Sequence, residues 1–225
     1  MLSYLLPYYE ITLHSQYARI FTLSVIVHYT LTTILLVCTY MLIGGQLFSP
    51  DDVEHGILRA NTAHPSQQAH GLIHYFPTHD IRIGLAVSTL DPRLHFILNC
   101  GATSCPPIAI LSEDNIEEAL SRAAQSYLDS EVDIDVNKRT LYLPKLLLWY
   151  GNDFSTDLAI RVGKVIELLG PVKRVQVTES LRALGWDSST GVSRSSSSGD
   201  GADGASMFPF EVVYKDYNWA PNIVK

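Results

Sequence analysis

Asp91 to Pro107 reads DPRLHFILNCGATSCPP, and its reading decides how the rest of the chain is understood. Asp91-Pro92 is a turn signal. Leu94 to Asn99 is a short apolar run between chain breakers, which reads as a buried strand. On a strand, His95, Ile97 and Asn99 share one face while Phe96, Leu98 and Cys100 share the other. A couple between His95 and Cys100 would then need a bend, which Gly101 can supply. Cys105 stands before Pro106-Pro107, which keeps it extended and out of a helix interior. Three chemistries fit these residue types. One cysteine is a nucleophile activated by a histidine, the two form a redox pair, or they supply half of a metal site that lacks a second cysteine pair. Against all three stands the ordinary fate of free cysteines, as small buried apolar residues.

Working outward, the 225 residues suffice for one domain with appendages, and 47% hydrophobic against 17% charged residues allows a packed core and excludes global disorder. The net charge of -7, with no Lys/Arg cluster, argues against a nucleic-acid partner. The cysteines, Cys38, Cys100 and Cys105, are too few and odd in number for a disulfide framework. Ile20 to Ile43 holds no Asp, Glu, Lys or Arg. As a helix rising about 1.5 Å per residue it would cross a hydrocarbon core of about 30 Å. The expectation is a single-pass membrane anchor over residues 1–43, with buried strands or a core helix as the alternative. The corresponding localisation is membrane or cytoplasm.

The domain is expected over residues 44–225, opened by Gly44-Gly45. Ser49-Pro50-Asp51-Asp52 starts a helix whose buried side carries Val53, Ile57 and Leu58. His55 lies one turn from Asp51 and Arg59, which reads as a solvated face. The sharper account brings Glu54 and His55 to the cysteine segment. Residues 61–90 read as loop. His64, His70, His74 and His79 fall there without the periodicity or ligand support that a metal site needs, and neither a metal nor a cofactor is assigned.

Ser112 opens an amphipathic helix with Ile116, Ala119, Leu120, Ala123, Tyr127 and Leu128 at helical spacing. Val132, Ile134 and Val136, then Leu141 and Leu143, alternate around Asn137-Lys138 as a hairpin. Pro144 starts a short helix ending near Trp149-Tyr150. Asp153 orients a polar partner or caps the next turn. Ser155 to Leu169 is a second amphipathic helix stopped by Gly170-Pro171, and Thr178 to Leu184 a short third one closed by Gly185. Residues 188–206 are rich in Ser and Gly and read as a flexible loop, followed by a strand over Phe210 to Tyr214.

Four blocks, VEHGILRAN at 53–61, DPRLHFILNCGATSCPPI at 91–108, LYLPKLLLWYGNDF at 141–154 and VVYKDYNWAPN at 212–222, resemble the successive blocks of domain of unknown function family 547. The resemblance spans about residues 40–222. It matches at Glu54, His55, Arg59, Asp91, Arg93, His95, Asn99, Cys100, Cys105, Pro106, Trp149, Tyr150, Asp153, Phe154, Tyr217, Trp219 and Asn222. Members carry a helix with an Asn-x-Tyr-Asn-Ala-Leu core before the Gly-Gly segment, and this chain has Ile20–Ile43 in its place. The resemblance implies no assigned activity. Its attachment elsewhere to leucine-zipper, glutaredoxin and DEP modules implies a protein partner. Because the last block follows the Ser/Gly-rich stretch, that stretch is a loop inside the domain.

The expected fold is α+β, a small mixed or antiparallel sheet covered by several helices. Two functions remain open. One is an interaction or scaffold domain that binds a protein partner. The other is a cysteine-dependent hydrolase or transferase with Cys100 or Cys105 as nucleophile, His95 or His55 as base and Asn99 or Asp153 as orienter. Glu54, Arg59, Arg93, Asn99, Asp153 and Trp219 are the binding candidates.

Overall fold

The computed structural model describes residues 40–108, 111–112, 114–187, 192–193 and 208–222. Its architecture is α+β, with small sheets among several helices. A hairpin of β1 (Met41–Ile43) and β2 (Gln46–Phe48) turns at Gly44-Gly45, where both glycines adopt positive φ. Most of the expected anchor, Ile20 to Ile43, lies outside the described residues. Its described end is this strand, with Ile43 in the core, and among the described residues no helix is long and apolar enough to cross a membrane.

Ser49 and Asp52 cap each other's backbone, Asp52 N to Ser49 Oγ at 3.0 Å and Ser49 N to Asp52 Oδ2 at 2.8 Å. The helix they open runs on as a π-helix, Asp52–Leu58, whose wider turn shows in the Arg59 N to Glu54 O bond of 2.9 Å. Gly56 is needed within it, because a Cβ there would stand 2.0 Å from a Phe76 ring carbon. A short helix α1 (Pro65–Gln68) and a 3-10 helix (Ile81–Leu85) follow. A second 3-10 helix, Pro92–Phe96, replaces the expected strand at Leu94–Asn99. Asp91 caps it by accepting from Arg93 N at 2.9 Å, and Pro92 at its first turn favours helical φ. The inferred alternation of faces from His95 to Cys100 is thereby void.

Helix α2 (Ile116–Glu131) starts later than Ser112, because Asn115 Oδ1 accepts from Ser112 N and forms the entry turn. Its buried stripe takes Ala124, with Ala123 only partly covered. β3 (Asp133–Asp135) and β4 (Thr140–Leu143) form the expected antiparallel hairpin, and β7 (Glu211–Tyr214) joins β4 in parallel. Between them lie α3 (Leu146–Trp149), α4 (Gly151–Phe154), α5 (Leu158–Leu168) and α6 (Pro171–Ala183). Asp157, rather than Ser155, caps α5 through Ala159 N and Ile160 N. Gly170-Pro171 both ends α5 and begins α6, with proline in its first turn, so the expected short helix from Thr178 is the second half of a longer one. A two-strand pair, β5 (Trp186–Asp187) with β6 (Val192–Ser193), follows; the remainder of the expected 188–206 loop lies outside the described residues.

Two apolar clusters form among the described residues. One gathers Phe48, Val53, Ile57, Leu58, Phe76 and Leu94 around the hairpin and π-helix. The other gathers Leu141, Leu147, Phe154, Val162 and Trp186 around the three-stranded sheet and the later helices. Helix α2 spans both, with Leu120 in the first and Leu128 in the second, and the Pro92–Phe96 helix does likewise through Leu94 and Phe96.

Candidate functional site

The π-helix aims His55 and Arg59 inward, the Pro92–Phe96 helix supplies His95, and α4 supplies Asp153. The Asp153 carboxylate takes Arg59 Nε at 2.7 Å and Nη2 at 2.8 Å, and His95 Nε2 at 2.8 Å. Arg59 Nη1 contacts His55 Nδ1 at 2.7 Å and donates to Ala63 O at 3.2 Å. The side chains of Arg59 and Asp153 are 1% and 3% exposed, so this is a buried, bidentate ion pair whose lone pairs are used. His95 stacks on Tyr150 with ring centres 4.1 Å apart, and the Arg59 guanidinium lies over the same ring at 5.2 Å.

The charge states follow. Burial pushes the Asp153 carboxyl up, but hydrogen bonds from His95 and Arg59 and their charges outweigh it and bring it to about 2. His55 is neutral: burial first, then the Arg59 charge, hold it at about 3. A guanidinium only donates, so His55 Nδ1 is the acceptor and the proton sits on Nε2, which lies 4.0 Å from Glu54 Oε1. His55 is thus a buried acceptor for Arg59, not part of a solvated face. Burial and the neighbouring Glu54 carboxylate raise the Tyr150 hydroxyl.

The second group is the cysteine loop. Cys100 Sγ and Cys105 Sγ are 3.1 Å apart, and the Tyr217 hydroxyl lies 3.2 Å from Cys105 Sγ and 3.7 Å from Cys100 Sγ. Cys100 N donates to Cys105 Sγ at 3.2 Å. Asn99 shapes the loop, its Oδ1 taking Gly101 N at 2.6 Å and its Nδ2 donating to Pro106 O at 2.7 Å. Gly101 supplies a positive φ. The C-terminal stretch closes over the loop: Thr103 N donates to Ala220 O and Asn222 N to Gly101 O, both at 2.8 Å. The hydrogen bond from the Cys100 thiol lowers Cys105 below the usual thiol range, against its burial and with help from Tyr217 and the Cys100 and Ala102 backbone. The same bond, with burial, raises Cys100. Burial and the adjoining Cys105 sulfur raise Tyr217, which keeps its proton.

Among the described residues, no hydrogen bond joins a histidine to either sulfur, and no group of three His, Cys, Asp or Glu side chains is placed to hold a metal ion. His55, Arg59, His95 and Asp153 form one cluster with Glu54 at its edge; Cys100, Cys105 and Asn99 form another. The segment Trp149–Asp153 serves both, Tyr150 and Asp153 in the first, while Trp149 packs on Tyr217 at 5.0 Å in the second. Trp219, 64% exposed, completes that aromatic set at 4.6 Å from Tyr217. Arg93 stands apart, binding Asp91 at 2.5 Å and Glu117 at 2.7 Å and fixing its helix to α2. Neither Tyr150 nor Tyr217 stands out as a candidate from its own spacing in the sequence. Their signal lay in the matching family blocks, since spacing cannot connect Tyr217 to Cys105 across the chain.

Residues 17–128 match the model of the family described as "Protein of unknown function, DUF547". Over that span the chain belongs to that family. The first two of the four resembling blocks fall within the matched span, and the blocks at 141–154 and 212–222, which supply Asp153 and Tyr217, follow it. No curated protein matches the chain, and neither does any solved structure.

Proposed function

We propose that the chemistry of this domain resides in the Cys100–Cys105 dithiol, with Cys105 the attacking thiolate and Cys100 the resolving thiol of a reversible disulfide. The observation that carries it is the pair of sulfurs 3.1 Å apart, with Tyr217 and the Cys100 N–H both directed at Cys105. The nucleophile is the thiolate, and here its donors replace the histidine that a hydrolase would require. A Cys/His hydrolase has less support, because His95 and His55 are engaged with Asp153 and Arg59. Equilibration of the full chain in oxidised and reduced glutathione, followed by intact mass and peptide mapping, tests the reading. The expected product is 2 Da lighter, about the mass of two hydrogens, with one link between Cys100 and Cys105. Retention of both free thiols at equilibrium in excess oxidised glutathione overturns it.

A second reading, an interaction module for a protein partner, is favoured by the exposed indole of Trp219 beside Trp149 and Tyr217. Titration of a peptide panel against tryptophan fluorescence tests it. Peptides that bind wild type and Trp219→Ser equally set it aside.

A further inference from the structure

Cys105 is only 9% exposed, and the loop and the C-terminal stretch shut it in on two sides. Cys100 Sγ and the Tyr217 hydroxyl occupy two further directions around its sulfur. A bulky disulfide would have to bring three sulfurs into line at this slot. A hydroperoxide needs only one oxygen to reach the sulfur, and a donor for the oxygen that leaves. Tyr217 is that donor: its hydroxyl lies beside both sulfurs, nearer to Cys105, and keeps its proton at neutral pH.

We infer that this site takes a small hydroperoxide as its oxidant, an inference that rests on the dithiol reading above. The Cys105 thiolate attacks the nearer peroxide oxygen; an S–O bond forms and the O–O bond breaks. The departing alkoxide, or hydroxide from hydrogen peroxide, takes a proton from Tyr217, which regains one from solvent. Cys105 is now a sulfenic acid. Cys100 Sγ attacks the Cys105 sulfur, its thiol proton leaves with the hydroxyl as water, and the S–S bond forms. In sum, two thiols and one hydroperoxide give one disulfide, one alcohol (or water) and one water; an external dithiol restores the reduced state.

The test follows oxidation of the full chain at neutral pH by hydrogen peroxide and, separately, by oxidised glutathione. Trp149, packed on Tyr217, provides a fluorescence signal, and peptide mapping excludes Cys38 from the product. Cys105 is expected to react with peroxide on the order of 100-fold faster than free cysteine compared as thiolate, and faster than with oxidised glutathione. Cys100→Ser should stop at a sulfenic acid that dimedone traps on Cys105. Tyr217→Phe should slow the peroxide step by roughly tenfold or more at equal thiolate fraction. A disulfide that forms at equilibrium in the glutathione buffer, combined with a peroxide rate no faster than free cysteine, overturns this inference and leaves the dithiol reading standing. Failure to form the disulfide under either oxidant overturns both, and the wild-type rate decides even if a variant does not fold.

Discussion

His55 offers the sharpest test of the buried cluster. The folded protein holds it neutral down to about pH 3, whereas in the unfolded chain it takes up a proton near 6.5. The unfolded state therefore binds more protons between these values. The contribution of His55 is fully present above about 6.5 and drains away as pH falls toward 3. Each unit well inside the window is worth about 1.4 kcal/mol, so the loss from pH 7 to pH 5 is about 2 kcal/mol from this one ring. His55→Asn keeps an oxygen near the Nδ1 position to accept from Arg59 but cannot be protonated. Urea unfolding at pH 7, 6 and 5, followed by circular dichroism, gives stability for both proteins. The variant starts less stable because of its smaller side chain, yet should lose about 2 kcal/mol less than wild type over that range. Parallel curves would mean that His55 titrates like an exposed imidazole and that the Arg59–His55 bond has been assigned wrongly.

Asp153→Asn removes the charge facing a guanidinium that is 1% exposed, and should cost about 3–5 kcal/mol in the same unfolding assay. Gly56→Ala drives a methyl group into the Phe76 ring and should cost about 1–3 kcal/mol or more, while Gly84→Ala, whose Cβ meets nothing within 4 Å, should stay within about 0.5 kcal/mol. Tyr217→Phe deletes a donor 3.2 Å from Cys105 Sγ; the pH midpoint of iodoacetamide labelling at Cys105 should rise by about 1–2 units. An unchanged midpoint would show that Tyr217 does not hold the thiolate.

The parts legible in the sequence were those with a period or a punctuation of their own. The β3–β4 hairpin announced itself by alternation across Asn137-Lys138, and the later helices by their stripes. Leu94–Asn99 did not, because a six-residue run is too short for periodicity to separate strand from 3-10 turn, and the deciding bond is the Asp91 cap on Arg93 N. Gly170-Pro171 was legible as a stop but not as a start, since the same pair serves both. His55 was misread as solvated because spacing along a helix shows Arg59 and cannot show Asp153, which lies far along the chain and makes the burial of Arg59 tolerable. The candidates themselves were visible as residue types in blocks. Their division into an ion cluster and a thiol cluster was not, because it is made by side-chain contacts between distant segments.

The closing of the cysteine loop by the C-terminal stretch has a consequence for how the protein is made. Gly101 and Thr103 bond to Asn222 and Ala220, and β4 takes β7 as its parallel neighbour. Synthesis delivers the thiols long before either partner leaves the ribosome, and contacts of such separation form late. A nascent chain therefore carries Cys100 and Cys105 without Tyr217 while the whole stretch between Cys105 and Tyr217 is made. Any oxidant met in that interval acts on ordinary thiols, and their distinct reactivity arrives only once Tyr217 is in place.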